Sequence, residues 1–192
     1  MLAARLVIGA LVLSGTLSLA LGAWMPAKAR LAQVLLDHAW HETLHSGSSS
    51  KPWPWADTWP VARLSAPAQG KAMIVLAGAN GAALAFGPGH LSTSAPPGVS
   101  DNSVIVGHRD THFAFLKALK PGDALQLEAA DGIVHDYQVI SAHVVHETDS
   151  RVLQPSRSAM LTLITCFPLD AVVPGGPLRY VVRARGIPPH NT

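Results

Sequence analysis

Residues 160–185 alternate between what a β-strand needs and what no strand tolerates. Met160-Leu161-Thr162-Leu163-Ile164-Thr165-Cys166 is apolar and β-branched with a period of two, and it ends on the only cysteine of the chain. Residues 167–177 follow, where Pro168, Pro174, Gly175, Gly176 and Pro177 exclude a continued strand or helix. Residues 178–185 are strand-like again. Antiparallel pairing of the two runs would set Cys166 and Arg179 at the two feet of the loop, within reach across the ladder. A thiol beside a guanidinium is a candidate reaction centre, because a neighbouring cation favours the thiolate.

The same punctuation organises the rest of the domain. Residues 61–66, 71–77, 82–86, 103–107, 123–129 and 133–145 join the two runs above to give about eight short strands broken by Gly and Pro. Asp131-Gly132 is the kind of dipeptide that closes a two-residue hairpin. Residues 113–119 fit one or two helical turns, and 88–98 fit loop or a short 3₁₀ turn. The fold class is therefore all-β, a small closed barrel or sandwich. Residue 107 ends the buried run 103–107 and delivers His108 to its tip, as the other run delivers Cys166. Taken alone, Cys166 also reads as a buried small hydrophobe and His108 as a surface histidine among ten.

Three N-terminal features precede this domain. Residues 6–25 carry no charge over about twenty positions, the length an α-helix needs to cross a bilayer core. Ala27-Lys28-Ala29 offers a small-x-small cleavage site, but the apolar run exceeds the usual signal-peptide core, so a retained anchor over residues 1–26 is expected. The flanking charges nearly balance and leave its orientation open. Residues 27–60 read as a short amphipathic helix rising from the membrane surface after Pro26, a flexible linker at Ser46-Gly47-Ser48-Ser49-Ser50, and a Trp/Pro-rich stretch. The tryptophans of that stretch either sit at lipid headgroups or cover apolar surface of the domain, and the second is expected. The domain itself spans 61–192.

From Ser46 onward there are 11 Lys and Arg against 10 Asp and Glu, so no electrostatic footprint for nucleic acid is visible. His38, His41 and His45 fall at i, i+3 and i+7, one helical face, but no thiolate or carboxylate ligand is paired with them. His143 and His146 would point to opposite faces of a strand. Asp101, Glu147 and Asp149 do not form a calcium-ligand pattern. No metal and no cofactor is expected.

Thr162-Leu163-Ile164-Thr165-Cys166 resembles the Thr-Leu-x-Thr-Cys signature of the sortases. Asn102-Ser103-Val104-Ile105-Val106-Gly107-His108-Arg109 is similar to the strand that carries their histidine, and Leu178-Arg179-Tyr180-Val181-Val182 to the strand that carries their arginine. Pro52-Trp53-Pro54-Trp55-Ala56-Asp57, Phe167-Pro168-Leu169-Asp170 and Pro174-Gly175-Gly176-Pro177 resemble the sortases of Gram-negative, often marine, proteobacteria. The resemblance implies a closed eight-stranded β-barrel with short helices behind an N-terminal transmembrane helix. It implies a single-pass inner-membrane protein, anchored through residues 6–25, with a periplasmic cysteine transpeptidase domain. Cys166 would be the nucleophile that cleaves a Leu-Pro-x-Thr-Gly-like C-terminal sorting signal of an exported protein through a thioester. His108 would be the general acid and base, Arg179 the oxyanion donor, and Thr165 a substrate contact. Residues 147–159 would be the loop that grips the Leu-Pro part, and an amine acceptor, unspecified by the sequence, would resolve the thioester. Two other functions share these residues: a thiol hydrolase in which water completes the reaction, and a tethered β-domain with an inert Cys166.

Overall fold

The computed structural model describes residues 2–171, 173 and 175–188. Its strands are β1 Pro60–Ala66, β2 Lys71–Ala77, β3 Gly89–His90, β4 Asn102–Val106, β5 Ala124–Ala129, β6 Val134–His146, β7 Met160–Cys166 and β8 Leu178–Gly186. They close into a barrel in the order β1-β2-β3-β4-β7-β8-β6-β5. Closure removes the unpaired edges that a twisted sheet of short strands otherwise exposes. The β2/β3 and β4/β7 pairs are parallel, and the other neighbours are antiparallel. Pro174, counted above in the loop, and residues 189–192 of the expected domain lie outside the described residues.

The period of two decides which side chains fill the barrel. Leu64, Val75, Ile105, Leu125, Leu127, Leu161, Leu163 and Val182 are fully buried in one cluster with Phe113 and Leu116, from the chain around the 3₁₀ turn Ala114–Ala118. Each contributes roughly 1.5–3 kcal/mol by leaving water. The alternate positions face outward. Val104, Ile164 and Val181 form a separate outer cluster with Leu91, Val106, Val145 and Val152.

Two local readings change. The expected strand at 82–86 is instead a single helical turn, α2 Gly81–Leu84, because the Asn80 side chain accepts a hydrogen bond from the Ala83 N–H and caps it. The third strand is Gly89–His90, inside the expected loop. Gly89 lies so close to the end of β2 that a Cβ there would collide with the Gly78 carbonyl oxygen. The Asp131-Gly132 turn is also longer than two residues. The Ala129 N–H bonds the Ile133 carbonyl at 3.0 Å and Gly132 sits at φ 80°, a hairpin that gives the positive-φ position to glycine.

The N-terminal region is one helix, α1 Leu2–Ser46, rather than an anchor and a separate short helix divided at Pro26. A proline removes one helical hydrogen bond without obliging the chain to turn. Among the described residues no helix is long and apolar enough to cross a membrane. The anchor read over residues 6–25 takes in side chains that lie outside those described.

The C-terminal part of α1 is docked on the barrel. Leu36 and Trp40 are fully buried against Ile74, Leu76 and Ala83. Trp40 Nε1 donates to Glu128 at 3.3 Å, Gln33 to the Phe86 carbonyl at 2.8 Å, and Arg63 to Asp37 at 3.1 Å. The serine stretch folds back on the same helix, with the Ser50 N–H on Thr43 Oγ1 at 3.1 Å and its hydroxyl on Glu42 at 2.6 Å. Of the tryptophans after it, Trp53 packs edge-on against Phe86 at 5.1 Å, whereas Trp55 is exposed.

Candidate active site

The parallel pairing of β4 with β7 brings together two strand ends that lie far apart in sequence. Val106 is in register with Ile164, and the Gly107 N–H continues the ladder to the Ile164 carbonyl at 3.1 Å. His108 follows Val106 by two residues and Cys166 follows Ile164 by two, so both lie at the same end of this ladder. On the other side of β7, Cys166 is the direct partner of Arg179. His108, Cys166 and Arg179 are thereby carried in a row by backbone position, at one end of β4, β7 and β8. Cys166 is partly exposed and unpaired, His108 is exposed and Arg179 is partly exposed, so the row opens to solvent.

Thr165 is placed differently from the expected substrate contact. It is 3% exposed, and its Oγ1 donates to the Gly107 carbonyl at 2.7 Å. A hydroxyl buried there does not meet a peptide on the surface. It fastens the residue before the thiol to the residue before the imidazole. Gly107 is required for another reason: a Cβ at this position would meet the Phe113 ring at 2.9 Å.

Arg179 is held from two sides. One terminal nitrogen donates to the Gly176 and Leu178 carbonyls at 2.8 and 2.9 Å, and the other pairs with Glu147. Among the described residues its Nε–H makes no hydrogen bond. The pairing of Glu147 with Arg179 was not legible from the sequence, where Glu147 was weighed for calcium and as the first residue of the expected Leu-Pro loop.

Two further residues support the row and carried no assigned role in the sequence. Arg109, 5% exposed, donates to the Pro168, Ala171 and Val173 carbonyls at 2.9, 2.9 and 3.1 Å and to Asp110 at 3.2 Å. It laces down the loop that begins immediately after Cys166. Asn102, 2% exposed, donates to the Val152 and Gln154 carbonyls at 3.0 and 3.1 Å and accepts from Thr162 at 2.7 Å. That bond set pins the 3₁₀ turn Ser150–Leu153 onto the outer face of the barrel. The only sequence signal was position, since each adjoins an end of the strand that carries the histidine.

The carboxylates weighed for calcium already have partners. Asp101 Oδ1 accepts from the Asn102 N–H at 2.6 Å and from the Ser156 N–H, Glu147 pairs with Arg179, and Asp149 with Arg151 at 2.7 Å. The Arg151 bonds hold the Asp149 carboxyl at a pKa of about 2. His38 pairs with Glu42 at 3.2 Å on an exposed face. Among the described residues no group of three or more His, Cys, Asp or Glu is arranged to hold a metal ion. Beside the row, burial and the charge of His108 lower the pKa of His112.

A closed eight-stranded barrel with a strand-end cysteine between a histidine and an arginine defines a narrow class of protein. The chain belongs to the sortase family, whose domain model matches residues 64–187. Sortase D of Bacillus subtilis (strain 168) is 30% identical over 103 residues, which are 53% of this chain and 50% of that protein. The chain thus spans about half the length of the curated relative it matches. Sortase A from Corynebacterium diphtheriae superposes with a TM-score of 0.61 at 31% identity, over 69% of this chain and 63% of that one. A Clostridium perfringens Sortase D5 transpeptidase shares the fold with a TM-score of 0.66 at 20% identity, over 82% and 99% of the two chains.

Proposed function

We propose that this protein is a membrane-anchored cysteine transpeptidase that cleaves a Leu-Pro-x-Thr-Gly-like sorting signal and transfers the acyl group to an amine. The observation that carries the reading is the pairing of Cys166 with Arg179, with His108 two residues past the end of the β4/β7 ladder whose β7 strand ends on Cys166. The Cys166 thiolate attacks the carbonyl carbon of the signal's threonine, and the oxyanion that forms is met by Arg179. His108 gives a proton to the departing amine as the carbon–nitrogen bond breaks, leaving a thioester on Cys166. An acceptor amine then attacks, His108 takes its proton, and an amide replaces the thioester. Thr165 serves by holding the two strand ends together.

The pinned turn Ser150–Leu153 supports the assignment of residues 147–159 as the wall that grips the Leu-Pro part, because Val152 packs with Ile164 and Val181 on the outer face. The exposed Leu11, Val12, Leu13, Leu19 and Trp24 of α1 support an anchor in a membrane. By the resemblance to Gram-negative sortases, the domain is periplasmic.

The test is mass spectrometry of the full chain incubated with such a peptide, with and without a small amine. An acyl adduct on Cys166 that becomes an amide when amine is added supports the transpeptidase. Free acid released at a rate amine does not change indicates the hydrolase. No adduct with any peptide, and a thiol that resists alkylation in the folded protein, leaves the tethered domain. Cys166→Ala is expected to give no adduct, and Arg179→Ala to slow its formation by about 10²–10³-fold.

A further inference from the structure

The outer face that holds Cys166 continues along the same strands for two more rows. Ile164 pairs with Val181, which pairs with His143 on β6, and Thr162 pairs with Arg183, which pairs with Ser141. Arg179, Val181 and Arg183 alternate with the inward-facing Tyr180, Val182 and Ala184, so all three project outward. This face is flanked by a cavity of about 700 Å³ that runs from Val145 and His146, in register with Arg179 and Leu178, to Arg183, with His143, Asp149, Arg151 and Val152 also in its lining. Val145 and Val152 belong both to this lining and to the apolar cluster beside Cys166, so the two surfaces are continuous.

The cavity carries an unanswered positive charge. Arg183 makes no hydrogen bond or ion pair among the described residues, and its Nε is buried without a partner. Arg183 as a whole is half-buried and lines the cavity, so its guanidinium has no protein partner to compete with a ligand anion there. Arg151 is already engaged by Asp149 at 2.7 and 2.8 Å, so Arg183 is the group left to recognise something. The presence of Asp149 in the lining favours a singly charged carboxylate over a doubly charged phosphate.

The spacing says which carboxylate. Arg183 lies four residues along β8 from Arg179, about 13 Å at the rise of a strand. An extended peptide with its threonine carbonyl at Cys166 covers that span in about four residues. Counting back from threonine through x, proline and leucine reaches the residue immediately before the leucine. We propose that the cavity around Arg183 receives an acidic side chain at that position, which extends the recognised signal by one residue. The proposal rests on the sorting-signal reading above.

The experiment measures kcat/KM of the full chain on three peptides that differ only in the residue before the leucine: Glu, Gln or Lys. The wild type is expected to prefer Glu over Gln by about tenfold, with Lys below Gln, and to lose the preference as salt is raised. In Arg183→Gln the Glu-to-Gln ratio is expected to fall to about one, and in Arg183→Lys to remain partly. A change of peptide charge coupled to one side chain is a readout that mere loss of packing does not produce. Should Arg183→Gln fail to fold, the wild-type ratio and its salt dependence decide. Equal rates on all three peptides with the wild type, or a Glu preference untouched by Arg183→Gln, overturn this inference alone. Cleavage of none of the three overturns the sorting-signal reading and this inference with it.

Discussion

Arg109 carries a full charge where water scarcely reaches, and three loop carbonyls are its answer. Replacing it by methionine keeps the bulk and removes every donor. We expect a loss of about 3 kcal/mol, a drop in melting temperature of roughly 6–12 °C, and a fall in kcat/KM because the loop after Cys166 is released. Arg109→Lys should fall between, since its single ammonium does not reproduce the planar fork. Thermal melts and peptide kinetics on the same preparations check this. Thr165→Val removes one buried hydrogen bond at similar volume. It should cost about 1 kcal/mol in urea unfolding, yet slow acylation about tenfold or more through misplacement of His108. His112 gives a pH dependence. Its pKa is lowered from 6.5, so below about pH 6.5 the unfolded chain binds a proton that the folded chain refuses. Its contribution to stability is whole above that pH and is lost as the pH falls toward the lowered value. Urea unfolding at pH 7.5 and 5.5 should show a smaller pH effect in His112→Gln. Cys166, His108 and Arg179 were legible in the sequence because each sits at the end of a patterned run. Arg109 and Thr165 were not read in their present roles, because those roles depend on partners 58 to 64 residues away.

Among the elements, the strands were the most legible, since a period of two and β-branched content survive any tertiary arrangement. The failures have local causes. A single asparagine cap turned the start of 82–86 into the helical turn Gly81–Leu84, and β3 is too short to have a period. The docking of α1 was missed because Leu36 and Trp40 give a narrow stripe, and a polar serine stretch read as a flexible joint. That stripe is now testable: Trp40→Ala should destabilise the protein by about 3–5 kcal/mol and Leu36→Ala by about 2–5, as measured by urea denaturation. Asn102→Ala acts on another element. It should free the turn Ser150–Leu153 and raise KM for the sorting-signal peptide more than it lowers kcat.

The helix α1 runs unbroken from Leu2 to the part docked on the barrel. With the apolar end of α1 in a bilayer, the full chain should sediment with membranes and resist carbonate extraction, and a chain lacking residues 2–25 should not. Among the described residues the first side chain of α1 buried by the barrel is Ala32, seven residues after Met25, a rise of about 10 Å along a helix. Under the anchoring proposed above, that stalk would set a fixed working height rather than a leash. A signal presented close to the membrane surface would then meet the thiol in a thin layer where both partners diffuse in two dimensions, and one displayed on a distal domain would be out of range, however well its residues match the groove.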